Sequence, residues 1–210
     1  MGLLKNEYIA DDCLLGLWEI NETFDELLPM AMLTPREEQT VMSFRNEKRR
    51  VEWLSVRALI NQMLHRKAAI IYNEDNKPFL DDRSYAISIS HSFCLTAILV
   101  SRHRRVGIDL EYMSHPISRI AGKFMNEKEY IVPEKAKQDY HLYIHWCIKE
   151  AIYKICDKQD INFKQNITVS PFDPASRGAV LCTVTNRFGT EIYEVHYFSY
   201  HNYVVAYCIK

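Results

Sequence analysis

Short apolar runs alternate along this chain with segments in which apolar residues recur at helical spacing. Runs bounded by turn-forming residues are typical of buried strands, and the spacing of Trp53, Val56, Leu59 and Met63 is typical of a helix. Strands are predicted over residues 13–20, 69–73, 85–90, 94–101, 105–111, 164–169, 179–185, 190–199 and 203–209. Helices are predicted over residues 35–65 with a break near residues 45–46, over 116–130 and over 134–156. This succession of elements predicts an α+β fold.

Three groups of residues recur in the same order in the two halves of the chain. Residues 16–19 resemble 107–111, residues 53–58 resemble 146–151, and residues 90–93 resemble 200–203. The alternative is chance similarity among strand–helix–strand units. The repeat predicts two similar α+β halves, residues 1–105 and 106–210, in a pseudo-duplicated arrangement. The active site is then expected at the interface of the halves, because boundaries between such units are favoured ligand sites.

Composition and charge exclude several functional classes. The 210 residues are 48% hydrophobic and carry a formal net charge of -1, which gives no global attraction to nucleic acid or to an acidic membrane surface. No stretch approaches the roughly 18 apolar residues of a membrane span, and the first residues show no signal sequence. The six cysteines form no C-x-x-C pair, and we interpret them as reduced thiols of a cytoplasmic protein.

Two carboxylates alternate along the strand predicted over residues 105–111. Asp109 and Glu111 are two positions apart, so they share one face of the strand, and Ile108 and Leu110 share the other. Neighbouring carboxylates repel unless a cation lies between them, and oxygen ligands suit Mg²⁺. The alternative is an exposed strand end with two solvated acids.

A second group of candidate residues lies on the helix predicted over residues 134–156. Trp146, Glu150 and Lys154 are spaced by one helical turn and share a face, whereas Lys149 is turned about 100° from Glu150. The alternative is an ordinary amphipathic helix with one ion pair. His141 and His145 are also one turn apart, but no third ligand is evident, so the sequence disfavours a zinc site.

Basic and hydroxyl side chains in the first half suit contacts with phosphate. Ser88 and Ser90 alternate on one strand face and His91 follows them at the strand end, while Arg49 and Arg50 belong to a basic helical stretch. Arginine binds phosphate oxygens through two parallel hydrogen bonds. The alternatives are a structural histidine and a solvated basic helix face.

Together these segments resemble the 4'-phosphopantetheinyl transferase superfamily. Residues 107–111 (GIDLE) match its G-[I/V]-D-x-E strand, and residues 146–154 (WCIKEAIYK) match its W-x-x-K-E-[A/S]-x-x-K helix. Residues 76–78 (NKP) resemble its G-K-P with Asn in place of Gly, and residues 88–92 (SISHS) resemble its N-[I/V]-S-H-[S/T] with Ser in place of Asn. Length and organisation are similar to the monomeric surfactin-synthetase-activating type.

The resemblance implies a role for each candidate residue. Mg²⁺ would be held against the pyrophosphate of coenzyme A by Asp109, Glu111 and Glu150. The catalytic residues would be Glu150 as general base, Lys154 as the neutraliser of the pyrophosphate, and Asp109 as a metal ligand. Coenzyme A would be bound by Arg49, Arg50, Lys77, Ser90, His91, Lys149 and Lys154. The family's two basic residues after the first helix start are missing, since Glu37 and Thr40 fall there.

The implied reaction transfers 4'-phosphopantetheine from coenzyme A to a serine of an apo acyl or peptidyl carrier protein. The partners are therefore coenzyme A and a carrier protein, with no nucleic acid and no membrane, and the enzyme is expected to be a cytoplasmic monomer. The pathway, whether fatty-acid, polyketide or nonribosomal peptide synthesis, stays open. Arg119, Lys123 and Lys128, with apolar Ile120, Phe124 and Met125, are a candidate docking helix for an acidic carrier. The alternative function is a non-catalytic module of the same fold that binds coenzyme A or a carrier protein.

Overall fold

The structure is a computed structural model that describes residues 2–156 and 161–210, and it divides into two compact units, Met1–Arg105 and Val106–Lys210. The strands are β1 (Leu3–Ala10), β2 (Cys13–Glu19), β3 (Ile70–Tyr72), β4 (Pro78–Leu80), β5 (Ala86–Ser92), β6 (Leu95–Ser101), β7 (Val106–Tyr112), β8 (Ile167–Val169), β9 (Arg177–Asn186), β10 (Gly189–Tyr200) and β11 (Tyr203–Ile209). The helices are α1 (Phe24–Ala31), α2 (Pro35–Ser43), α3 (Glu47–Leu64), α4 (Ala121–Phe124), α5 (Lys135–Ile155) and α6 (Phe163–Asn166). Within the described ranges, no helix is both long and apolar enough to cross a membrane.

The first unit is a four-stranded antiparallel sheet with helices and a small hairpin. Its strand order is β1-β2-β6-β5, and β3 pairs separately with β4. Helix α3 lies close to the sheet at Gly16, where an added Cβ would be 2.4 Å from the sulfur of Met63. Trp18, Leu59 and Ile98 are fully buried in the resulting core.

The second unit is a five-stranded antiparallel sheet covered by the long helix α5. Its strand order is β7-β11-β10-β9-β8. Helix α5 contributes Ile144, Ile148 and Ile152 to a core that also contains Val195 of β10. The helix therefore presents one apolar face to the sheet and leaves its remaining positions for other contacts.

Both units contain one shared succession of elements. In the first unit, three neighbouring strands have the order β2-β6-β5, and helix α3 lies between β2 and β5 in the sequence. In the second unit, the corresponding order is β7-β11-β10, and helix α5 lies between β7 and β10 in the sequence. A duplicated origin of these halves, and an active site at their interface, stay predictions.

Several elements differ from the sequence-based predictions. Strand β1 and helix α1 were not predicted, because β1 has mixed polarity at the edge of its sheet and α1 contains Pro29. A capping box between Thr23 and Glu26 nevertheless starts α1. Strand β4 occupies the end of a segment interpreted as a turn. In the segment predicted as a strand over residues 164–169, the first half belongs to the short helix α6 and the second half is strand β8.

The helix predicted over residues 116–130 is wrong in its extent. A single 3-10 turn, Ile117–Ile120, leads into the four-residue helix α4, which ends at Phe124. Met125 is extended, and the side chain of Asn126 then accepts a hydrogen bond from the amide of Lys128. Asparagine in such a turn offers the backbone an alternative to the helix, so the helical spacing of the apolar residues is not followed.

Candidate active site

The candidate site of the second unit forms where β7 and α5 come closest. A Cβ added to Gly107 would lie 2.1 Å from the carbonyl oxygen of Ala151 and 3.0 Å from Cβ of Ile155. Only glycine fits this contact without moving the backbone of the helix. Because side chains alternate along a strand, Asp109 and Glu111 lie on the same side of β7 as Gly107, the side that faces α5.

Asp109 is buried and paired with a lysine of α5. Lys154 donates hydrogen bonds to Oδ1 of Asp109 at 2.7 Å and to the carbonyl oxygen of Ile108 at 2.9 Å. Asp109 is only 5% exposed, so the alternative of a solvated acid at an exposed strand end does not describe it. A buried carboxylate needs such a partner, because an uncompensated buried charge is costly.

Glu111 is half-buried beside residues from the preceding turns of α5. Burial raises the pKa of the Cys147 thiol well above its usual value, and the nearby carboxylates of Asp109 and Glu111 raise it further. Burial likewise raises the pKa of Tyr143, and Glu111 adds to that effect. Asp109 and Glu111 are therefore both near enough to Cys147 of α5 to influence its thiol.

The donor chemistry at this face fits Mg²⁺, since carboxylate oxygens are the ligands that this ion prefers. Glu150 is half-buried on α5, one position before Ala151, whose carbonyl faces Gly107. Across residues 2–156 and 161–210, no group of three or more His, Cys, Asp or Glu side chains is already gathered as a metal site. The three candidate ligands thus match the ion in type, while Lys154 supplies the positive charge beside Asp109.

Another face of the same helix has a structural role. The indole of Trp146 packs edge-on against Phe124 with ring centroids 5.3 Å apart, and it also packs against Phe163 at 5.6 Å. Tyr153 also packs edge-on against Phe163, with ring centroids 5.2 Å apart. Trp146 therefore anchors α4 and α6 to α5.

Lys149, which was predicted to bind coenzyme A, is surrounded by acceptors from the protein itself. Its side chain is fully buried, and its ammonium contacts both carboxylate oxygens of Glu129 at 2.8 Å. It also donates to the carbonyl oxygens of Phe124, Phe163 and Ile167 at 2.6, 3.1 and 3.1 Å. An ammonium group has three protons to donate, so these acceptors satisfy it and leave none for a phosphate.

In the first unit, Arg49 and His91 meet at the start of α3 and the end of β5. Nη1 of Arg49 lies 3.2 Å from Nε2 of His91, and Nδ1 of His91 lies 4.0 Å from a carboxylate oxygen of Glu52. A guanidinium can only donate, so a hydrogen bond between these two atoms requires Nε2 of His91 as its acceptor. Arg49 and His91 are both exposed, so they are accessible to an anion.

The other predicted nucleotide-binding residues have different surroundings. Arg50 donates to the carbonyl oxygens of Phe44 and Met42 at 2.7 and 3.3 Å, so its guanidinium stabilises the turn between α2 and α3. Ser90 is buried in β5. Lys77 is half-buried in the turn before β4, with its ammonium 5.8 Å from the ring centroid of Phe79.

The turn that contains Lys77 explains one departure from the family pattern. Asn76 has a φ of 59°, a left-handed conformation that glycine and asparagine adopt more readily than other residues. Asn76 can therefore take the place of the glycine in G-K-P without changing the turn.

Glu37 likewise has a structural explanation. Its carboxylate accepts hydrogen bonds from the amide and hydroxyl of Thr34, which caps α2, and from the buried guanidinium of Arg57 at 3.4 Å. Arg57 in turn lies 3.4 Å over the ring of Trp53. This acid holds α2 against α3.

The predicted docking helix separates into buried apolar residues and an exposed basic surface. Phe124 is fully buried, and Ile120 and Met125 pack against the core. Arg119, Lys123 and Lys128 remain exposed, and we refer to these three residues as the basic surface. Phe124 is therefore unavailable for docking, Ile120 and Met125 are partly exposed, and the basic residues are accessible.

The two histidines considered for zinc are buried in α5. Their ring centroids are 4.9 Å apart, and both contact the ring of Phe172. Burial lowers the pKa of His141, and it lowers the pKa of His145 to about 3. Both rings are therefore neutral at physiological pH and act as core side chains.

Two acids that the sequence patterns did not predict as partners lie beside the predicted residues. Glu129 pairs with Lys149, and Glu52 lies next to Arg49 and His91. Glu52 could have been found, because it is three positions after Arg49 on a predicted helix. Glu129 lies in a loop with no periodic relation to Lys149, so no sequence signal connects them.

Comparison with known proteins shows which family the second unit resembles. Residues 105–208 match the sequence model of the 4'-phosphopantetheinyl transferase superfamily. The chain is also 30% identical over 115 residues to the 4'-phosphopantetheinyl transferase HetI of Nostoc sp. (strain PCC 7120 / SAG 25.82 / UTEX 2576). That match covers 50% of this chain and 48% of HetI, so it spans about half the length of the relative. The second unit, residues 106–210, is therefore the part of the chain that is similar to the 4'-phosphopantetheinyl transferase superfamily.

Proposed function

We propose that this protein transfers 4'-phosphopantetheine from coenzyme A to a serine hydroxyl of an apo carrier protein. The observation that carries the proposal is the pairing of Asp109 with Lys154 between β7 and α5, inside the matched domain. A carboxylate for a cation and an ammonium for a phosphate are then adjacent. The serine oxygen forms a bond to the β-phosphorus, and adenosine 3',5'-bisphosphate leaves with the electron pair of the broken P–O bond.

Asp109, Glu111 and Glu150 are the residues that would hold Mg²⁺. When bound, the ion offsets negative charge on the phosphoryl oxygens and on the leaving group. Lys154 is already held within 2.7 Å of Asp109, where its ammonium neutralises part of the carboxylate charge and is positioned to meet the pyrophosphate.

Glu150 is our candidate for the base that accepts the serine proton, directly or through a water molecule. It is half-buried on α5, so a substrate hydroxyl can approach it. General base catalysis of this kind contributes typically about 10²–10⁴-fold. The remaining acceleration would come from orientation of the hydroxyl and the phosphorus.

Arg49 and His91 are our candidates for binding the 3'-phosphate end of coenzyme A. Their exposed nitrogen atoms are 3.2 Å apart, a spacing at which one phosphate can contact both. Ser90 and Lys77 are weaker candidates because one is buried and the other packs near Phe79. A monomeric, surfactin-synthetase-activating type of enzyme acting in the cytoplasm is part of this proposal.

The test is the intact mass of an apo carrier protein incubated with coenzyme A, Mg²⁺ and this protein. A gain of one phosphopantetheine group, absent with EDTA and absent for Asp109→Ala, is the expected result. A panel of carriers from fatty-acid, polyketide and peptide synthesis would define the substrate. Coenzyme A binding without any mass gain across the panel would refute the transferase and favour a non-catalytic binding module of the same fold.

A further inference from the structure

The buried ion pair of Lys149 and Glu129 connects α5 to four other segments of the second unit. Lys149 belongs to α5, and its ammonium reaches the last residue of α4, the loop that carries Glu129, α6 and β8. Both side chains of the pair are fully buried. No other lysine in residues 2–156 and 161–210 is fully buried.

Glu129 extends this network to two backbone amides. Its Oε2 accepts from the amide of Asn126 at 2.9 Å, and its Oε1 accepts from the amide of Val169 at 2.9 Å. The side-chain amide of Asn126 also donates to the carbonyl oxygen of Ile167 at 3.2 Å. The segment from Phe124 to Glu129 is therefore fixed at both ends by the pair.

This segment needs the pair because it has little regular structure of its own. Helix α4 has four residues, and the chain after it is extended and then turns at Asn126. Helices this short are not stable without tertiary contacts. Lys123 precedes the segment and Lys128 lies within it, and both side chains are exposed.

We propose that Lys149 is a positioning residue for the carrier protein: by holding residues 124–129 it sets the geometry of the basic surface, and it makes no contact with coenzyme A. This inference rests on the proposed transferase function. An acidic carrier would be attracted to the basic surface. The resulting gain in association rate depends on where the side chains of Lys123 and Lys128 project. Lys149 is one position before Glu150 on α5. Its contacts therefore attach residues 124–129 to the same helix that contains the proposed base.

The experiment measures steady-state transfer by Lys149→Met, varying carrier protein and coenzyme A in turn. Methionine keeps most of the apolar stem and removes the ammonium. We expect KM for the carrier to rise about ten-fold or more, within the range by which electrostatic steering accelerates association. KM for coenzyme A and kcat at saturating carrier should change less than about two-fold, because the side chain at position 149 contacts neither the phosphates of coenzyme A nor the proposed base.

Amide hydrogen exchange gives a readout that does not depend on activity. In Lys149→Met, the amides of Asn126 and Val169 should exchange faster, because Glu129 loses its counter-charge and no longer holds them. If Lys149→Met does not fold, the double variant Lys149→Met/Glu129→Gln removes both charges and takes its place. Replacement of both partners of a buried pair is commonly tolerated, whereas removal of one is not.

Two control variants separate positioning from loss of stability and loss of charge. Ile144→Ala truncates a fully buried side chain on the same helix, and Lys135→Met removes an exposed lysine from its first turn. Neither should change KM for the carrier protein. A Lys149→Met enzyme whose kinetics match those of Ile144→Ala would overturn the positioning role, since it would then act on stability alone.

The remaining outcomes are also decisive. A rise in KM for coenzyme A, or a fall in kcat with KM for the carrier unchanged, would place Lys149 at the substrate and overturn the inference. Failure of both Lys149 variants to fold would make the residue a requirement of the fold and would equally overturn it. A wild-type protein without transfer activity would instead refute the proposed function, while the exchange of the Asn126 and Val169 amides would still report what Lys149 holds.

Discussion

Replacement of Gly107 by alanine tests the contact on which the candidate site depends. The new Cβ would lie 2.1 Å from the carbonyl oxygen of Ala151, where an ordinary contact begins at 3.4 Å. The obstacle is backbone rather than a flexible side chain, so β7 and α5 must separate by about 1.3 Å, the difference between those two distances. Overpacking of a core costs about 1–3 kcal/mol. For a chain of this length that corresponds to a Tm lower by about 2–12 °C.

The same separation of β7 and α5 should also lower kcat/KM, even at temperatures where the variant remains folded. Asp109 lies two residues after Gly107, and its 2.7 Å contact with Lys154 spans the same two elements. A misplacement of about 1 Å at a reacting group can cost about 100-fold in rate. We therefore expect Gly107→Ala to lose about 100-fold in kcat/KM at temperatures where the variant remains folded.

Gly122→Ala is the matched control for this experiment. An added Cβ at Gly122 meets no atom within 4 Å, and the residue lies in α4, where alanine is favoured over glycine by about 0.5–1 kcal/mol. Its Tm should stay the same or rise slightly, with activity retained. The reasoning is refuted if calorimetry gives Gly107→Ala the Tm of the wild type and the transfer assay gives it full activity, because the two elements would then not be in backbone contact.

Four further predictions address the separate parts of the proposal. Asp109→Asn removes a proposed metal ligand while keeping the side-chain volume, and transfer at limiting Mg²⁺ should fall by more than the roughly 10–100-fold typical of an outer-shell metal partner; near-normal rates would remove Asp109 from the metal site. His91→Ala should raise KM for coenzyme A more than it lowers kcat, because the nucleotide end is remote from the reacting phosphorus; initial rates over a coenzyme A series decide this. Charge reversal of Arg119 and Lys123 to glutamate should raise KM for the carrier and flatten its salt dependence between low and physiological ionic strength, and unaltered values would exclude the basic surface. His145→Phe should flatten the pH dependence of stability: the folded-state pKa of about 3 lies below the ordinary 6.5, so the unfolded state binds the extra proton and stability falls as pH drops from about 6.5 towards 3. Urea midpoints at pH 7.5 and pH 5 should differ less in this variant than in the wild type, and an equal difference would show that His145 is protonated in the folded protein.

Sequence alone could predict the local geometry of the site but not its tertiary partners. Strand alternation places Asp109 and Glu111 on one face, and the structure puts that face towards α5. Helical geometry shows that Lys149 projects away from Glu150, yet it cannot say what covers that side. The partner, Glu129, comes from a loop whose course depends on the turn at Asn126. Irregular segments of this kind follow tertiary contacts, which a periodic pattern does not encode.

The motif of residues 146–154 fixes several residue types because this part of α5 packs against β7 on one side and against α4 and α6 on another. Lys154 and the backbone at Ala151 face β7, where Gly107 and Asp109 lie. Trp146 and Lys149 face α4 and α6, where they anchor Phe124 and Phe163. A rotation of the helix that improved one set of contacts would break the other, so fixed positions of the motif need not all touch the substrate. Glu150 lies between the two sets of positions on the helix, so a change on the α4 and α6 side that leaves α5 packed on β7, such as Lys149→Met, should leave the proposed base in place.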